Sequence, residues 1–398
     1  MATPNRYAIE LRDKDFNLKA RLEPYITAVN WEWNRVGGCG RATLTVSGDY
    51  QRFSVDSDDD VRIYLPDADT NTSTLWYRGF VQNVSPKVSQ GKQSIKIECS
   101  GYFGWLDRVI VHDNNSEKVF LGSEISNIVD SIVDDFVVSN SNITRGTTDE
   151  SSVSPDTISF KGTAKQALGT LFDLVGAVQY GVGPDLVFYW RNESKAFTHR
   201  FYVGGEVTKL NDRVDYSGIT NKIYFEGGDV NGSAFKTSGE SSRSQSKFGL
   251  REEIVSNGSI TTTATASRLI SAILKQKAVP QRQLSISVKN IKQRLEATEP
   301  IGAIAVVDKD VFQDSFLYGT TGNGGSNITY GKVVNGGSGK KYGTTPRNQV
   351  DRIQYKMSPE DGRVDAEIQF GNSLGFSRAS ATMNRQELIL NAVRQRSL

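Results

Sequence analysis

The stretch that decides the fold is Val29-Asn30-Trp31-Glu32-Trp33-Asn34-Arg35-Val36-Gly37-Gly38-Cys39-Gly40-Arg41-Ala42-Thr43-Leu44-Thr45-Val46. In its last part Ala42, Leu44 and Val46 alternate with polar or small neighbours. A period of two is typical of a strand that buries one face and exposes the other. The stretch therefore predicts antiparallel strands rather than helices.

The same alternation recurs through the first 110 residues. Three further sets are Tyr7, Ile9 and Leu11, then Val61, Ile63 and Leu65, then Ile95, Ile97 and Cys99. The segment Trp76–Val81 is aromatic and rich in residues that favour strands. Several short strands without a helix between them predict a closed barrel or a sandwich.

Aromatic residues and glycines in these strands have structural interpretations. Trp31, Trp76 and Phe80 are predicted core residues, because aromatic side chains within strands usually pack in the interior. Glycines inside strand patterns mark bulges or close backbone approaches, and this applies to Gly37, Gly38, Gly79 and Gly101. None of these residues is predicted to bind a ligand.

Helical patterns follow. From Ser123 the apolar residues have the spacing of one helix face, at Ile125, Ile128, Val129, Ile132, Val133 and Phe136. A second helix is predicted after Thr163, which forms a capping box with Gln166. A third carries Ala266, Leu269, Ile270, Ile273 and Leu274, with Pro280 beyond its end. Leu186–Trp190 is a predicted strand. Together with the first two helices it predicts a small α+β domain at residues 112–200.

Three segments are predicted to lie outside this regular pattern. Residues 238–246 are polar and predict a loop. Residues 319–346 are rich in glycine and predict a loop or a long hairpin that interrupts a barrel. The segment Met383–Val393 is amphipathic, with Leu388, Ile389 and Ala392 within it, and predicts a short C-terminal helix.

Composition excludes some classes of protein. The chain has 398 residues and a net charge of +2, which gives no general reason for tight binding to nucleic acid. No apolar run approaches the roughly 20 residues that span a bilayer. The N-terminus is polar and lacks the apolar segment of a signal peptide, so we expect folding in a cytoplasm.

The residues that could support chemistry form no catalytic or metal motif. Cys39 and Cys99 are predicted buried thiols, although whether they pair is left open. His112 and His199 are interpreted as ordinary histidines, since no metal partner or nucleophile elbow accompanies them. The sequence predicts no catalytic residue, no metal ligand and no cofactor.

Two further stretches do not match the ligand motifs that they resemble. Asp56-Ser57-Asp58-Asp59-Asp60 lacks the glycine and glutamate of a calcium loop, and is interpreted as a solvated turn. Gly339-Lys340-Lys341 lacks the spacing of a phosphate-binding loop, with Val334 where that motif needs glycine.

The opening stretch resembles the first barrel of the central hub proteins of phage baseplates and tail tips. The residues that continue the resemblance are Asp60–Tyr64, Trp76–Val81, Ile97–Leu106, Arg352–Met357 and Ala366–Gly371. The resemblance lies in the order of the segments and in the character of their residues, and it covers most of the chain. The glycine-rich loop at 319–346 departs from it.

This resemblance implies a mainly β protein with α+β insertions, in which two similar β-barrel domains accompany two smaller α/β domains. The predicted domains are a first barrel at 1–111, an α+β insertion at 112–200, a second barrel at 201–236 and 300–375, a helix-containing insertion at 237–299, and a C-terminal helix or tail at 376–398.

The resemblance also implies a non-enzymatic hub that forms a homotrimeric ring around a channel. Three chains with two barrels each place six barrels in the ring, which can therefore meet a sixfold tail tube on one side and a threefold tip on the other. Implied partners are the tail tube or distal tail protein, a tip, spike or fibre protein and the tape-measure protein, with DNA only passing through the channel. The implied location is the virion tail tip, after assembly in the host cytoplasm. Two alternatives stay open: a receptor- or carbohydrate-binding tail module, and a tail-associated cell-wall hydrolase.

Overall fold

The computed structural model of the chain describes residues 7–47, 54–66, 73–89, 92–114, 116–176, 178–194, 197–203, 205–230, 233–297, 303–308 and 347–371. The glycine-rich segment 319–346 and the C-terminal segment 376–398 lie outside these residues. Their predicted structures therefore stay predictions.

The N-terminal part contains strands and short 3-10 turns. The strands are β1 (Ala8–Arg12), β2 (Leu18–Arg21), β3 (Ile26–Asn34), β4 (Val36–Ser47), β5 (Asp60–Pro66), β6 (Ser73–Ser89) and β7 (Lys92–Gly101). The 3-10 segments are Glu23–Tyr25 and Tyr102–Arg108. The strands predicted from alternation are confirmed, and Ala42, Leu44 and Val46 all face the interior.

The second part mixes helices and strands, as the sequence predicts. The strands are β8 (Ile110–Val111), β9 (Lys118–Leu121), β10 (Thr144–Thr148), β11 (Thr157–Phe160), β12 (Gly162–Thr163), β13 (Val178–Val182) and β14 (Val187–Asn192). The helices are α1 (Ile125–Ile132), continued by a π-turn at Val133–Val137 and a 3-10 turn at Val138–Asn140, and α2 (Ala164–Val175). The predicted capping box at Thr163 is confirmed.

The third part again contains mostly strands. They are β15 (Phe197–Val203), β16 (Val207–Asp215), β17 (Lys222–Val230), β18 (Ser233–Glu240), β19 (Glu252–Asn257), β20 (Gln281–Val288), β21 (Ala303–Asp308), β22 (Arg347–Met357) and β23 (Val364–Gly371). Two helices, α3 (Ser242–Phe248) and α4 (Thr263–Lys277), lie between them, with a 3-10 turn at Leu295–Ala297. Among the described residues, no helix is long and apolar enough to span a membrane.

Sixteen strands form one large, mainly antiparallel sheet. Its order is β2-β1-β5-β6-β7-β4-β3-β22-β21-β15-β16-β20-β23, with β13 joined to β4, and β14 and β10 following β13. Smaller sheets are formed by β9 with β11, by β8 with β12, and by β18-β17-β19. The predicted mainly β class is confirmed.

The pairing differs between the two halves of the large sheet. β23 also pairs with β22, so the six strands from β22 through β21, β15, β16, β20 and β23 form a closed circuit, as barrel strands do. The seven N-terminal strands form a path that begins at β2, with no pairing of β2 to β3 among the described residues. Two similar barrels therefore stay a prediction.

Two details differ from the sequence pattern. The predicted loop at 238–246 is wrong: β18 continues to Glu240, and α3 begins at Ser242. Asn221 accounts for this order, because its carbonyl accepts the Ser241 N–H and its amide contacts Ser244. A polar segment can therefore be regular in structure when residues distant in the chain bind it, and its composition alone does not reveal this.

Three strands also pair outside the domain in which the sequence analysis placed them, at the boundaries between the second barrel and the helix-containing insertion. β17 and the start of β18 fall in the range predicted for the second barrel, yet they pair with β19 in a separate sheet. β20 falls in the range predicted for the helical insertion, yet it pairs with β16 and β23 in the large sheet. The domain boundaries themselves stay a prediction.

The described residues contain two apolar cores. The sheet core is made by the large sheet and includes Trp31, Ile63, Ile97, Ile286 and Tyr355. The helical core is made by α1, α2 and α4 against neighbouring strands, and includes Ile128, Leu168, Phe188, Phe225 and Ile270. Because α2 packs against α4, the segment before β15 and the segment between β16 and β20 share one core.

Candidate functional site: charged clusters between the two cores

The acidic run predicted to be a solvated turn is instead largely paired. Lys19 binds Asp56 at 2.7 Å and Asp59 at 2.8 Å, and Arg108 binds Asp58 at 2.7 Å. Asp59 and Asp60 are buried, so the prediction of a solvated turn is wrong for them. Cations from distant points of the chain meet this run, which a local pattern does not reveal.

Asp60 is the centre of the first charged cluster, at the start of β5. One of its carboxylate oxygens accepts the Arg62 Nε–H at 2.6 Å, and the other accepts the Arg78 Nε–H and the Tyr102 hydroxyl, each at 2.8 Å. Three donors satisfy a carboxylate that has no solvent exposure. Burial and the neighbouring Asp60 raise the pKa of Tyr102, so its hydroxyl remains a donor.

The Asp60 cluster lies between the two cores. Val61, next in β5, belongs to the sheet core, whereas Tyr102 belongs to the helical core. The Arg78 guanidinium lies 4.3 Å from the Phe16 ring centroid, so its face is covered as well. The cluster therefore ties the first strands to the segment that leads into the helical region.

Arg35 is the centre of the second cluster, in the turn between β3 and β4. Its guanidinium pairs with Glu193, after β14, and lies 3.8 Å from an Asp351 carboxylate oxygen on β22. Its backbone N–H donates to the Asp351 carbonyl, and its carbonyl accepts from Tyr180 on β13. One buried residue thus joins β22 of the large sheet to the strands that cover the helical core.

The pKa of the Glu193 carboxyl is shifted upward. Burial raises the pKa of Glu193 to about 7, although the charge and the hydrogen bond of Arg35 act in the opposite direction. The shift brings the pKa of this carboxyl toward neutral pH. The arrangement holds segments together.

Near Arg35, glycines allow backbone segments of β4, β7 and β13 to approach one another closely. A Cβ on Gly38 would lie 2.4 Å from the Val182 carbonyl oxygen, and one on Gly181 would lie 2.3 Å from the Gly37 carbonyl carbon. A Cβ on Gly101 would lie 1.7 Å from the Cys39 carbonyl oxygen. The close approach predicted for Gly38 and Gly101 is confirmed: Gly38 lies against β13, and Gly101 lies against Cys39 of β4.

The predicted core residues lie where the sequence placed them. Trp31, Trp76 and Tyr355 pack together in the sheet core, with Trp31 stacked on Tyr355 at 5.4 Å between ring centroids. Phe80 is buried in the helical core. Cys39 and Cys99 are buried thiols, and burial raises the pKa of Cys99.

The two histidines lie apart from these clusters. The His112 ring contacts Phe136, at 6.1 Å between centroids. His199 lines a cavity of about 310 Å³ with Phe201, Glu206 and Lys289 among its other walls. Burial lowers the pKa of His199, and its Nδ1 has no hydrogen-bond partner in the described part of the molecule.

Asp173 is a carboxyl that the sequence did not single out. It lies on α2 and makes no hydrogen bond or ion pair with any described residue, while the nearby Lys277 pairs with Glu253 at 2.6 Å. Burial raises the pKa of Asp173 to about 8, with Lys277 acting in the opposite direction. The side chain keeps part of its surface exposed, and the upward shift of its pKa favours the neutral carboxyl.

Neither cluster is a metal centre of the usual kind. In the residues that the structure describes, no group of three or more His, Cys, Asp or Glu side chains is arranged to hold a metal ion. Sequence reasoning did not single out Arg35, Glu193 or Asp351 as a set. Their separation along the chain leaves no local signal, apart from the position of Arg35 inside the stretch that decides the fold.

No family model matches the sequence, and no curated protein is similar to it in sequence. Solved structures are similar. The tail protein from Neisseria meningitidis MC58 has a TM-score of 0.57 at 11% identity, over 92% of this chain and 96% of that one. The 43 kDa tail protein of prophage MuSo2 from Shewanella oneidensis has a TM-score of 0.57 at 12% identity, over 92% and 97%.

A third similar structure is the prophage tail protein gp18 from Listeria monocytogenes EGD-e. Its TM-score is 0.52 at 13% identity, over 96% of this chain and 99% of that one. At such identities the likeness concerns the fold. The resemblance predicted from Val29–Val46 and the later segments is confirmed at that level: this chain has the fold of phage tail proteins.

Proposed function

We propose that the chain is a structural component of a phage tail, a hub at the tail tip or baseplate. Three copies form a ring that connects the tail tube to the tip, spike or receptor-binding apparatus and encloses the channel. The observation that carries the proposal is the likeness to tail proteins over more than nine-tenths of both chains. Ring assembly, partners and the position at the tip come from the family resemblance.

The architecture supports a framework role. A large sheet extends through the chain, and buried charged clusters join its strands to the helical region. Such clusters hold one arrangement of their segments, because separation would leave charges buried without partners. A ring component that must meet different neighbours on its two faces benefits from this rigidity.

The carbohydrate-binding alternative requires aromatic side chains on the surface. Trp31, Trp33, Trp76 and Trp190 are buried. Trp105 lies under the Arg108 guanidinium, 4.2 Å from its ring centroid. The tryptophans therefore serve packing, and no specific observation favours either the carbohydrate-binding or the hydrolase alternative.

Light scattering coupled to gel filtration tests the ring. The expected molar mass is three times the 43.9 kDa of one chain, and negative-stain averages are expected to have six lobes around a channel. The same sample is incubated with purified tail tubes from the phage that encodes the chain, where rings are expected at tube ends. A monomer that neither forms rings nor binds tubes would overturn the proposal.

A further inference from the structure

The three-stranded sheet β18-β17-β19 has one buried face and one exposed face. Ile223, Phe225 and Val255 are buried on the inner side and belong to the helical core. Their chain neighbours Tyr224 and Ile254 lie opposite each other in the strand register, with 40% and 67% of their surfaces exposed. Since successive side chains of a strand alternate between its faces, the outer face presents an aromatic and an aliphatic side chain side by side.

β19 is an edge strand of this sheet, and part of its backbone faces away from the sheet. Among the described residues, β19 pairs with β17 and with no other strand. The Lys222 N–H donates to the carbonyl of Arg251, just before β19, at 3.0 Å, so the backbone of Arg251 faces β17. Backbone groups of successive residues alternate between the two sides of a strand, and hence those of Glu252, Ile254 and Ser256 face the open edge.

The two edges of the sheet are built differently. At the β18 edge, the register with β17 shifts between Glu226 and Asp229, and the exposed Lys236 lies on the strand. Bulges and lysines are devices by which proteins prevent further strands from adding to an edge. β19 has a continuous register with β17, contains neither lysine nor proline, and carries the exposed Ile254. The β19 edge therefore keeps the features that accept another strand.

The side chains beside the open edge indicate what an added strand carries. In one row across the outer face, Lys222 lies opposite Glu240 of β18 and Glu252 of β19, so the charges alternate from strand to strand. The Lys222 Nζ lies 3.4 Å from a Glu252 carboxylate oxygen, and 44% of the Glu252 side chain is exposed. A basic residue next to Glu252 continues this alternation, whereas an apolar residue extends the row of Tyr224 and Ile254.

We propose that β19 accepts an extended segment of a partner protein as a fourth strand, with a basic residue beside Glu252 and an apolar residue beside Ile254. In such complexes the backbone hydrogen bonds supply affinity, and the side chains beside the edge supply specificity. A second copy of β19 fits less well, because the strand contains Glu252 and Glu253 but no basic residue, and like charges in adjacent strands repel. The inference concerns the sheet of one chain and does not depend on ring assembly.

Binding of synthetic peptides to the full chain tests the proposal. The basic peptide is a heptapeptide in which threonine alternates with lysine, isoleucine and lysine, so that it presents the same pattern in either strand direction. The acidic peptide has glutamate in place of both lysines. Fluorescence anisotropy is expected to give at least tenfold higher affinity for the basic peptide. Equal affinities, or no binding of the basic peptide at about 1 mM, would overturn the proposal.

Variants with exposed side chains changed locate the binding. Glu252→Lys is expected to reverse the preference, with at least tenfold lower affinity for the basic peptide and higher affinity for the acidic one. Ile254→Lys is expected to weaken the binding of the basic peptide at least tenfold, because a charge replaces the apolar contact. The matched control is Ser238→Lys, which adds the same charge on the β18 edge, opposite Tyr224, and is expected to change neither affinity. Equal losses in Ile254→Lys and Ser238→Lys would place the peptide elsewhere and overturn the proposal.

N-methylation of the basic peptide separates strand addition from association through side chains. One version is methylated at its threonines and the other at the residues between them. Because only alternate N–H groups of an added strand face β19, one version alone is expected to lose affinity, by at least tenfold. Equal affinities of the two versions would overturn the proposal. A molar mass of Ile254→Lys below that of the unmodified chain in light scattering would also overturn it, because a second copy would then cover β19.

Discussion

Asp60 has no exposed surface and Asp173 is only partly exposed, but the two lie in regions that treat a carboxyl differently. Asp60, between the two cores, accepts hydrogen bonds from two arginines and a tyrosine. Asp173, on α2 beside the helical core, has no hydrogen-bond or ion-pair partner among the described residues. The first is held as an acceptor for three donors, whereas burial raises the pKa of the second to about 8.

The comparison teaches that burial alone does not decide what a charged group does. A carboxylate with enough donors fixes the segments that supply them, because each segment would lose a partner on moving away. A carboxyl without donors adopts its neutral form and makes the stability of its region depend on pH. The Asp60 cluster therefore holds its segments in place, whereas the Asp173 region makes the stability of the fold depend on pH.

Asp60→Asn is expected to have the largest effect. It leaves the Arg62 and Arg78 guanidinium groups beside a neutral amide, and removing one partner of a buried ion pair costs about 3–5 kcal/mol. The free energy of unfolding is measured by urea titration at pH 7. The matched control is Asp58→Asn, whose more exposed pair with Arg108 contributes about 0–1 kcal/mol. Equal losses in the two variants would contradict the framework role.

Gly38→Ala tests the backbone contact between β4 and β13. The added Cβ meets the Val182 carbonyl oxygen at 2.4 Å, and φ of +70° strains any other residue. We expect a loss of about 3 kcal/mol in the free energy of unfolding, from strain and clash together.

Gly176→Ala is the control for this contact. Gly176 has φ of +83° at the end of α2, but nothing lies within 4 Å of a Cβ there. Its alanine variant has the strain alone, about 1–2 kcal/mol. If both variants lose the same stability, the close approach of β13 does not contribute.

Asp173→Asn tests the titrating region. In the unfolded chain this carboxyl ionises near pH 4, whereas in the folded chain its pKa is about 8. Between these values the folded state holds the proton and the unfolded state does not, so stability falls as pH rises from 4 to 8. A shift of this size corresponds to about 5 kcal/mol for a fully buried group. Because Asp173 is partly exposed, we expect the asparagine, which does not ionise, to remove a decline on the order of 2 kcal/mol.

Urea titrations at pH 5 and pH 8 measure the difference. The raised pKa of Glu193 contributes a decline of the same sign up to about pH 7, so Asp173→Asn reduces the slope without abolishing it. The control is Asp135→Asn, which changes an exposed carboxylate on the turn after α1. A slope equally reduced in the control would place the titration elsewhere.

The sequence predicts elements well and their junctions poorly. Alternating residues such as Ala42, Leu44 and Val46 reveal strands, because the side-chain period is local. Gly38 reveals a close approach but not its partner, since Val182 lies far away in the chain. The pairing of Arg35 with Glu193 and Asp351, like the capture of Asp56 and Asp59 by Lys19, depends on three-dimensional contacts that no local pattern encodes.

Thr163→Ala is expected to have the smallest effect, at a feature that the sequence revealed completely. The Thr163 hydroxyl accepts the Gln166 N–H at 3.2 Å, and the Gln166 side chain accepts the Thr163 N–H at 3.0 Å. Loss of the hydroxyl costs about 1 kcal/mol of unfolding free energy, and Thr163→Ser retains most of it. Because a cap acts on one helix end, whereas Asp60 joins several segments, a loss as large as that of Asp60→Asn would mean that the start of α2 also holds the two cores together.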